Sequence, residues 1–391
     1  MSTPSISVVQ LGGHSGLPLL VCGPSLGTSA TSLWSGVAAR LADSLHVVAW
    51  DLPGHGRSPA PAGGFDMAAL AAGVLDRTER ILEERGEPGA TFAYAGDSVG
   101  GTVGLQLLLD HPARVHSATL LCTSAKIGET QGWLDRAELV RTSGTPALVE
   151  SSAKRWFAPG FIDREPSVGA DLLHSLQSTD ANGYARVCEA LAEFDVRDRL
   201  AEIDAPVLAV AGADDVATPP AGLHEIADRV RHGRAVVLDR VAHLAPAEAP
   251  AEIARLIRDH VGTEHSPTRA DVRDGGMAVR RAVLGDAHVD RAVAATTEFT
   301  RDFQDFITEY AWGSIWTRPG LDRRFRSAIT LTALVAGGHH DELAMHVRAA
   351  RTNGLSDDEI GEILLQSAIY CGVPAANTAF RIAQATLAES D

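Results

Sequence analysis

Gly96-Asp97-Ser98-Val99-Gly100 stands directly between a β-rich run, Thr91–Ala95, and an apolar helical stretch, Thr102–Asp110. A serine on a sharp strand-to-helix turn is pushed into strained backbone, and glycines two residues to either side let that turn pack. Its hydroxyl then protrudes at the C-terminal edge of a sheet, where the helix N-terminus offers partial positive charge to a developing oxyanion. The pentapeptide alone is common in loops. Its position between strand and helix makes Ser98 the candidate nucleophile.

Around this turn, β-rich runs recur at Ile6–Leu11, Leu17–Cys22, His46–Trp50, Ala118–Cys122, Pro206–Ala211 and Ala235–Leu238. Amphipathic stretches such as Asp66–Glu84 separate most of them. That alternation predicts a mostly parallel sheet covered on both faces. The first two runs, joined across Gly12–Gly16, read as an antiparallel hairpin. Between about Lys126 and Asp195 the alternation stops, and Trp133, Trp156, Phe157 and Phe161 appear; this predicts a helical lid over one end of the sheet. A final helix is expected at Ala247–Val261.

The partners of a strand-borne serine nucleophile follow as acid and then histidine. Asp214 and Asp215 come just after the run Pro206–Ala211, with the spacing from Gly212 favouring Asp215; His243 comes after the next run. Imidazole takes the serine proton, and the carboxylate fixes its tautomer. The second oxyanion donor is expected after Leu17–Cys22, in Gly23-Pro-Ser-Leu-Gly-Thr28. Pro24 has no N–H, so Ser25 or Leu26 remains, paired with the N–H of Val99.

The polar segment 263–270 separates this region, 1–262, from a second one, 271–391, in which β signals vanish. Phe299, Phe303, Phe306, Ile307 and Tyr310 recur at helical spacing. Asn353-Gly354 reads as a helix stop, and Ser356-Asp-Asp-Glu359 as a capping box. Glu342 and His346 stand at i and i+4 and share a helix face, with His339 before them.

Composition narrows the partners. Of 391 residues 45% are hydrophobic and 21% charged, a globular composition. Fifty acidic against 34 basic side chains give a net charge of −16, which repels phosphate backbones and argues against nucleic acid. No apolar run approaches the ~18 residues of a membrane span, and no Lys or Arg precedes Arg40 to form a secretory n-region, so a cytoplasmic protein is expected. Cys22, Cys122, Cys188 and Cys371 form no CxxC pair.

Residues 1 to about 262 resemble the α/β-hydrolases, and among them 3-oxoadipate enol-lactone hydrolase, through Ser25–Thr28, Asp51–Ser58, Gly96–Gly100, Ala217–Pro220 and His243-Leu244. Residues from about 271 resemble 4-carboxymuconolactone decarboxylase through Ile307–Arg323, Gly338–Arg348 and Tyr370–Asn377. The fold implied is an α/β-hydrolase domain with a helical lid, followed by an all-α decarboxylase-like domain. The two resemblances imply consecutive steps on carboxylated lactones in the 3-oxoadipate pathway. The rival readings are another esterase, or a ligand receptor on the same fold, joined to an oligomerising helical module.

In that frame Ser98, Asp215 and His243 are expected to hydrolyse the enol-lactone. Trp133, Arg155 and Trp156 are expected to line its site, with Lys126 and Lys154 as further candidate anchors for a carboxylate. His346 is the expected proton donor of decarboxylation, with Glu342 orienting it, His339 as the alternative, and Arg323 or Arg324 clamping carboxylate. The dithiol chemistry of a related redox family is excluded, because His339, Glu342 and His346 stand where it carries Cys, Cys and His. No cofactor or metal is expected, and a homo-oligomer through the second domain is.

Overall fold

The computed structural model describes residues 3–262, 269–318 and 320–388. It contains two compact units, Met1–His265 and Ser266–Asp391. Of the expected linker 263–270, residues 263–268 lie outside the described residues.

The first unit is built on seven strands: β1 (Val8–Gly12), β2 (Leu19–Gly23), β3 (His46–Trp50), β4 (Phe92–Asp97), β5 (Val115–Leu121), β6 (Val207–Gly212) and β7 (Gly233–Leu238). They form one sheet in the order β1-β3-β2-β4-β5-β6-β7. Only β1 is antiparallel to its neighbour. The expected β1–β2 hairpin does not form, because β3 lies between the two. All five residues of β2 and of β3 are buried, so both need a strand on either side; β1 is half-buried and sits at the edge.

Helices cover the sheet: α1 (Ala30–Leu41), α2 (Met67–Glu84), α3 (Val99–Asp110), then α4 (Thr130–Ser143), α5 (Val149–Trp156), α6 (Phe161–Arg164), α7 (Pro166–Ser178) and α8 (Ala181–Glu193). Helices α4 to α8 form the insertion between β5 and β6. After it come α9 (Pro220–Arg229), α10 (Ala245–Glu248) and α11 (Pro250–Val261). The single helix expected over Ala247–Val261 is split at Ala249, since Pro250 cannot continue the preceding turn. Trp34, Trp50 and Tyr94 are fully buried in the core.

Because β2, β4, β6 and β7 run parallel in register (Gly23 beside Gly96, Gly212 beside Leu238), the loops that leave them open at one edge. Sites in such sheets lie outside the carboxyl ends of the strands.

The second unit is helical: α12 (Arg269–Leu284), α13 (Asp286–Ala294), α14 (Glu298–Phe306), a π-helical stretch Ile307–Trp316, α15 (Arg323–Gly337), α16 (His340–Thr352), α17 (Asp357–Cys371) and α18 (Val373–Ala388). The Ser356–Glu359 capping box opens α17, and Gly354 (φ +92°) follows the end of α16. Leu331, Val335, Leu343, Val347, Ile360 and Leu364 make its main core. The aromatic residues expected at helical spacing are on helix, but they face outward: Phe299, Phe303, Phe306 and Tyr310 are exposed. Among the described residues no helix is long and apolar enough to cross a membrane.

Candidate active sites

Ser98 connects β4 to α3 with φ +52° and ψ −114°, a conformation that an L side chain adopts only when its surroundings impose it. Those surroundings are on both sides of the turn. A Cβ on Gly96 would collide with the Gly100 carbonyl, and one on Gly100 with Gly23. The buried Tyr94 hydroxyl donates to the Gly100 carbonyl at 2.8 Å, the Gly100 N–H to Pro24 at 2.9 Å, and Thr123 Oγ1 to the Ser98 carbonyl at 2.7 Å. The turn is thus tied to the loop after β2 and to that after β5.

His243 Nε2 lies 3.0 Å from Ser98 Oγ, and its Nδ1 lies 2.9 Å from Asp215 Oδ2. With Nδ1–H donated to the carboxylate, Nε2 is left as an acceptor for the serine proton. All three side chains are buried or nearly so. Asp215 Oδ1 accepts the N–H groups of Ala217 and Thr218, and Oδ2 lies 2.7 Å from the Thr218 hydroxyl. Burial pushes the Asp215 carboxyl up, but the charge and hydrogen bond of His243 and the Thr218 donors outweigh it and hold it below the ordinary value. Asp214 is exposed and takes no part. Asp215, which the spacing from Gly212 favours, is the aspartate buried against His243.

Ser25 and Leu26 are buried in the loop after β2. Val99 opens α3, so its N–H lies in the first turn, where no intrahelical acceptor is available. Trp156 at the end of α5 is buried and packs over this loop, since a Cβ on Gly27 would stand 3.3 Å from its ring. Trp133 is half-buried, with its indole N–H donating to the Ile127 carbonyl. Arg155 is exposed. Lys154 is paired with Glu150 at 2.6 Å, and Lys126 stands 3.9 Å from Glu129.

Four polar residues at this site escaped sequence reading. Thr218 and Thr123 buttress Asp215 and Ser98 as described. Glu248 accepts the N–H groups of Ala158 at 2.8 Å and Ala242 at 3.0 Å, and burial raises its carboxyl to about 7. Asp97 is fully buried with no hydrogen-bond partner on either oxygen among the described residues. Burial, then the nearby charges of Asp215 and Glu248, raise it well above the carboxylate range, with the neighbouring Ser25 hydroxyl, just outside hydrogen-bond geometry, pulling the other way. Asp97 sits in the quoted pentapeptide and Thr218 in Ala217–Pro220; nothing in the sequence marks Glu248.

In the second unit Glu342 and His346 share α16, and His339 caps its start. Seven residues of helix separate His339 from His346, about 10 Å. Burial, and after it His288, hold the His346 imidazole below its usual value, with Glu342 opposing. Arg324 pairs with Glu359 at the start of α17, and Arg323 is exposed beside it. These arginines open α15, whose other end meets His339. Among the described residues no three His, Cys, Asp or Glu side chains are grouped to hold a metal ion.

Comparison with known proteins matches this division. Residues 19–256 match the model of the alpha/beta hydrolase family, and residues 301–385 that of the carboxymuconolactone decarboxylase family. Over 238 residues the chain is 38% identical to 3-oxoadipate enol-lactonase 2 of Acinetobacter baylyi, covering 61% of this chain and 86% of that protein. Over 109 residues it is 46% identical to 4-carboxymuconolactone decarboxylase of the same organism, covering 28% and 81%. The crystal structure of the enol-lactonase from Burkholderia xenovorans LB400 superposes with a TM-score of 0.61 at 31% identity, covering 66% of this chain and 96% of that one. The chain belongs to the alpha/beta hydrolase family through its first unit and to the carboxymuconolactone decarboxylase family through its second.

Proposed function

We propose that the chain is a bifunctional enzyme of the 3-oxoadipate pathway, converting 4-carboxymuconolactone to 3-oxoadipate enol-lactone and hydrolysing that to 3-oxoadipate. The observation that carries the reading is the hydrogen-bonded Ser98–His243–Asp215 array in a unit similar to enol-lactonases, joined in one chain to a unit similar to the decarboxylase that makes their substrate.

In hydrolysis, Ser98 Oγ attacks the lactone carbonyl as His243 Nε2 takes its proton. The oxyanion is received by the N–H of Val99 and one from the Ser25–Leu26 turn. His243 returns the proton as the ring C–O bond breaks, releasing the enol, which becomes the ketone. Water, deprotonated by His243, then cleaves the acyl-serine. Trp133, Trp156 and Arg155 flank the substrate.

In decarboxylation, the electron pair left by CO2 spreads through the conjugated C=C to the lactone carbonyl, so the substrate is its own electron sink. The enzyme has to bind the carboxylates and protonate the carbon beside that carbonyl. His346 is the proton donor, with Glu342 orienting it and His339 as the alternative.

The exposed aromatic face of α14 and the π-helical stretch supports a homo-oligomer formed through the second unit. The cytoplasm is the compartment in which such an enzyme meets these metabolites. Supplying 4-carboxymuconolactone and following CO2 and 3-oxoadipate tests the reading. Release of both supports it; an esterase or a receptor on this fold yields neither.

A further inference from the structure

Glu248 ends α10 and folds back over the loop that carries His243. Its Oε1 accepts the N–H of Ala242 at 3.0 Å, and its own N–H donates to the Leu244 carbonyl at 3.0 Å. Its Oε2 reaches out of that loop and accepts the N–H of Ala158, in the helical insertion, at 2.8 Å. The insertion answers with the Trp156 carbonyl, which takes the N–H groups of His243 at 3.1 Å and Leu244 at 3.3 Å. Three successive N–H groups, 242 to 244, are thus satisfied by the insertion or by the carboxylate that reaches it.

Ala158, Ala242, His243 and Leu244 are all buried. A buried main-chain N–H without an acceptor is costly. Lifting Trp156–Ala158 would orphan the N–H groups of Ala158, His243 and Leu244 together and leave Glu248 one partner short. Segment and loop are therefore held to one joint arrangement. The His243 ring has little slack to absorb any other: it spans Ser98 Oγ at 3.0 Å and Asp215 Oδ2 at 2.9 Å, and a shift of about 1 Å breaks one of these bonds.

We propose that Glu248 is a positioning residue of the hydrolase site, a latch between Trp156–Ala158 and Ala242–Leu244 that brings His243 into line with Ser98 only when the insertion is seated. The inference rests on the hydrolase reading of Ser98 and not on which ester it opens. The insertion then does more than cover the site: its seating and the assembly of the triad are one event.

The test uses the full chain at about pH 8, above the value of about 7 to which burial raises the Glu248 carboxyl. Glu248→Gln keeps the size but turns one acceptor into a donor, so one tie is lost whichever way the amide faces. Ala158→Pro removes the donor at the other end, where Phe157 already has the extended backbone that precedes proline (φ −116°, ψ 139°). Each is expected to lower kcat for enol-lactone opening about tenfold, the scale of one charge-assisted hydrogen bond, with CO2 release unchanged. The double variant should lose no more than the worse single one, because both cut the same tie. Glu252→Gln, which breaks an exposed ion pair with Arg255 on α11, should leave kcat unchanged. Wild-type kcat in Ala158→Pro overturns the latch and leaves Glu248 a brace of its own loop; losses that multiply in the double variant overturn it too. Amide hydrogen exchange reads the latch without turnover. In either variant, protection of the His243 amide, which is bonded to Trp156 and not to Glu248, should fall about tenfold. Unchanged protection there overturns the proposal. If the wild-type chain leaves the enol-lactone unopened, the lactone reading fails alone, and p-nitrophenyl acetate becomes the ester for the same comparison.

Discussion

The carbonyl oxygen of Trp156 accepts the main-chain N–H of His243 at 3.1 Å, and that of Leu244 at 3.3 Å. The helical insertion thus holds the backbone of the histidine that Ser98 needs. Glu248 makes a second tie, bridging Ala158 of the insertion and Ala242 beside His243. Trp156 also packs on the loop carrying Ser25 and Leu26. Trp156→Ala should therefore do two things at once. Loss of a buried indole is expected to cost about 3–5 kcal/mol of stability. Enol-lactone hydrolysis should fall more than CO2 release, because the oxyanion loop loses the indole packed on it while the main-chain carbonyl that holds His243 remains. Denaturant melts and the two activities measured side by side check this.

Ser98→Ala removes the nucleophile, and a loss of about 10³-fold or more in enol-lactone hydrolysis is expected, with decarboxylation retained. His243→Ala should match it. The adjacent aspartates provide the control. Asp215→Asn forces the wrong imidazole tautomer and should be severe; Asp214→Asn alters an exposed side chain and should not. Near wild-type hydrolysis by the Ser98→Ala protein refutes the assignment.

How much of this was legible in the sequence depends on whether the signal was local. The turn at Ser98 was, because strand, glycines and helix are contiguous. The spacing to Asp215 and His243 was readable only as order along the chain, and folding brought residues 145 positions apart to 3.0 Å. The β1–β2 pairing was misread because adjacency in sequence stood in for adjacency in the sheet; the full burial of β2 and β3 decides the order instead. The decarboxylase candidates Glu342 and His346 were legible because their i, i+4 spacing lies on one helix. Glu248 was invisible, since its partners are main-chain N–H groups at Ala158 and Ala242 that no side-chain pattern announces.

Asp97 gives a prediction whose sign differs from that for Asp215. Its carboxyl, buried beside two other acids, is raised by burial first and then by Asp215 and Glu248, with the Ser25 hydroxyl opposing. Folding holds the proton on this carboxyl to higher pH than in the unfolded chain, which releases it above about 3.9. Stability contributed by Asp97 is therefore lost as pH rises from that value towards its folded pKa. Asp97→Asn mimics the neutral acid and removes the penalty. It should raise the melting temperature at pH 7 more than at pH 4 and keep most of the hydrolysis, whereas Asp215→Asn abolishes it. A destabilised, inactive Asp97→Asn protein contradicts a carboxyl raised by burial at Asp97.

For decarboxylation the critical variant is His346→Ala, which should lose CO2 release yet still open pre-formed enol-lactone through Ser98. The pH dependence adds a sharper expectation. His346 is held below the usual histidine value by burial and by His288, so the protonated form needed for proton donation disappears in the free enzyme as pH rises through that lowered value. A bound carboxylate pushes the imidazole the other way. The alkaline limb of kcat/KM, which reports the free enzyme, should then lie at lower pH than that of kcat, which reports the complex. Two limbs at the same pH mean that the substrate's charge does not reach the acid. Full CO2 release by the His346→Ala protein moves the acid to His339 or Tyr370. Tyr370 is 79% exposed and His339 lies about two turns of helix away, so either outcome requires the substrate to sit elsewhere on the unit.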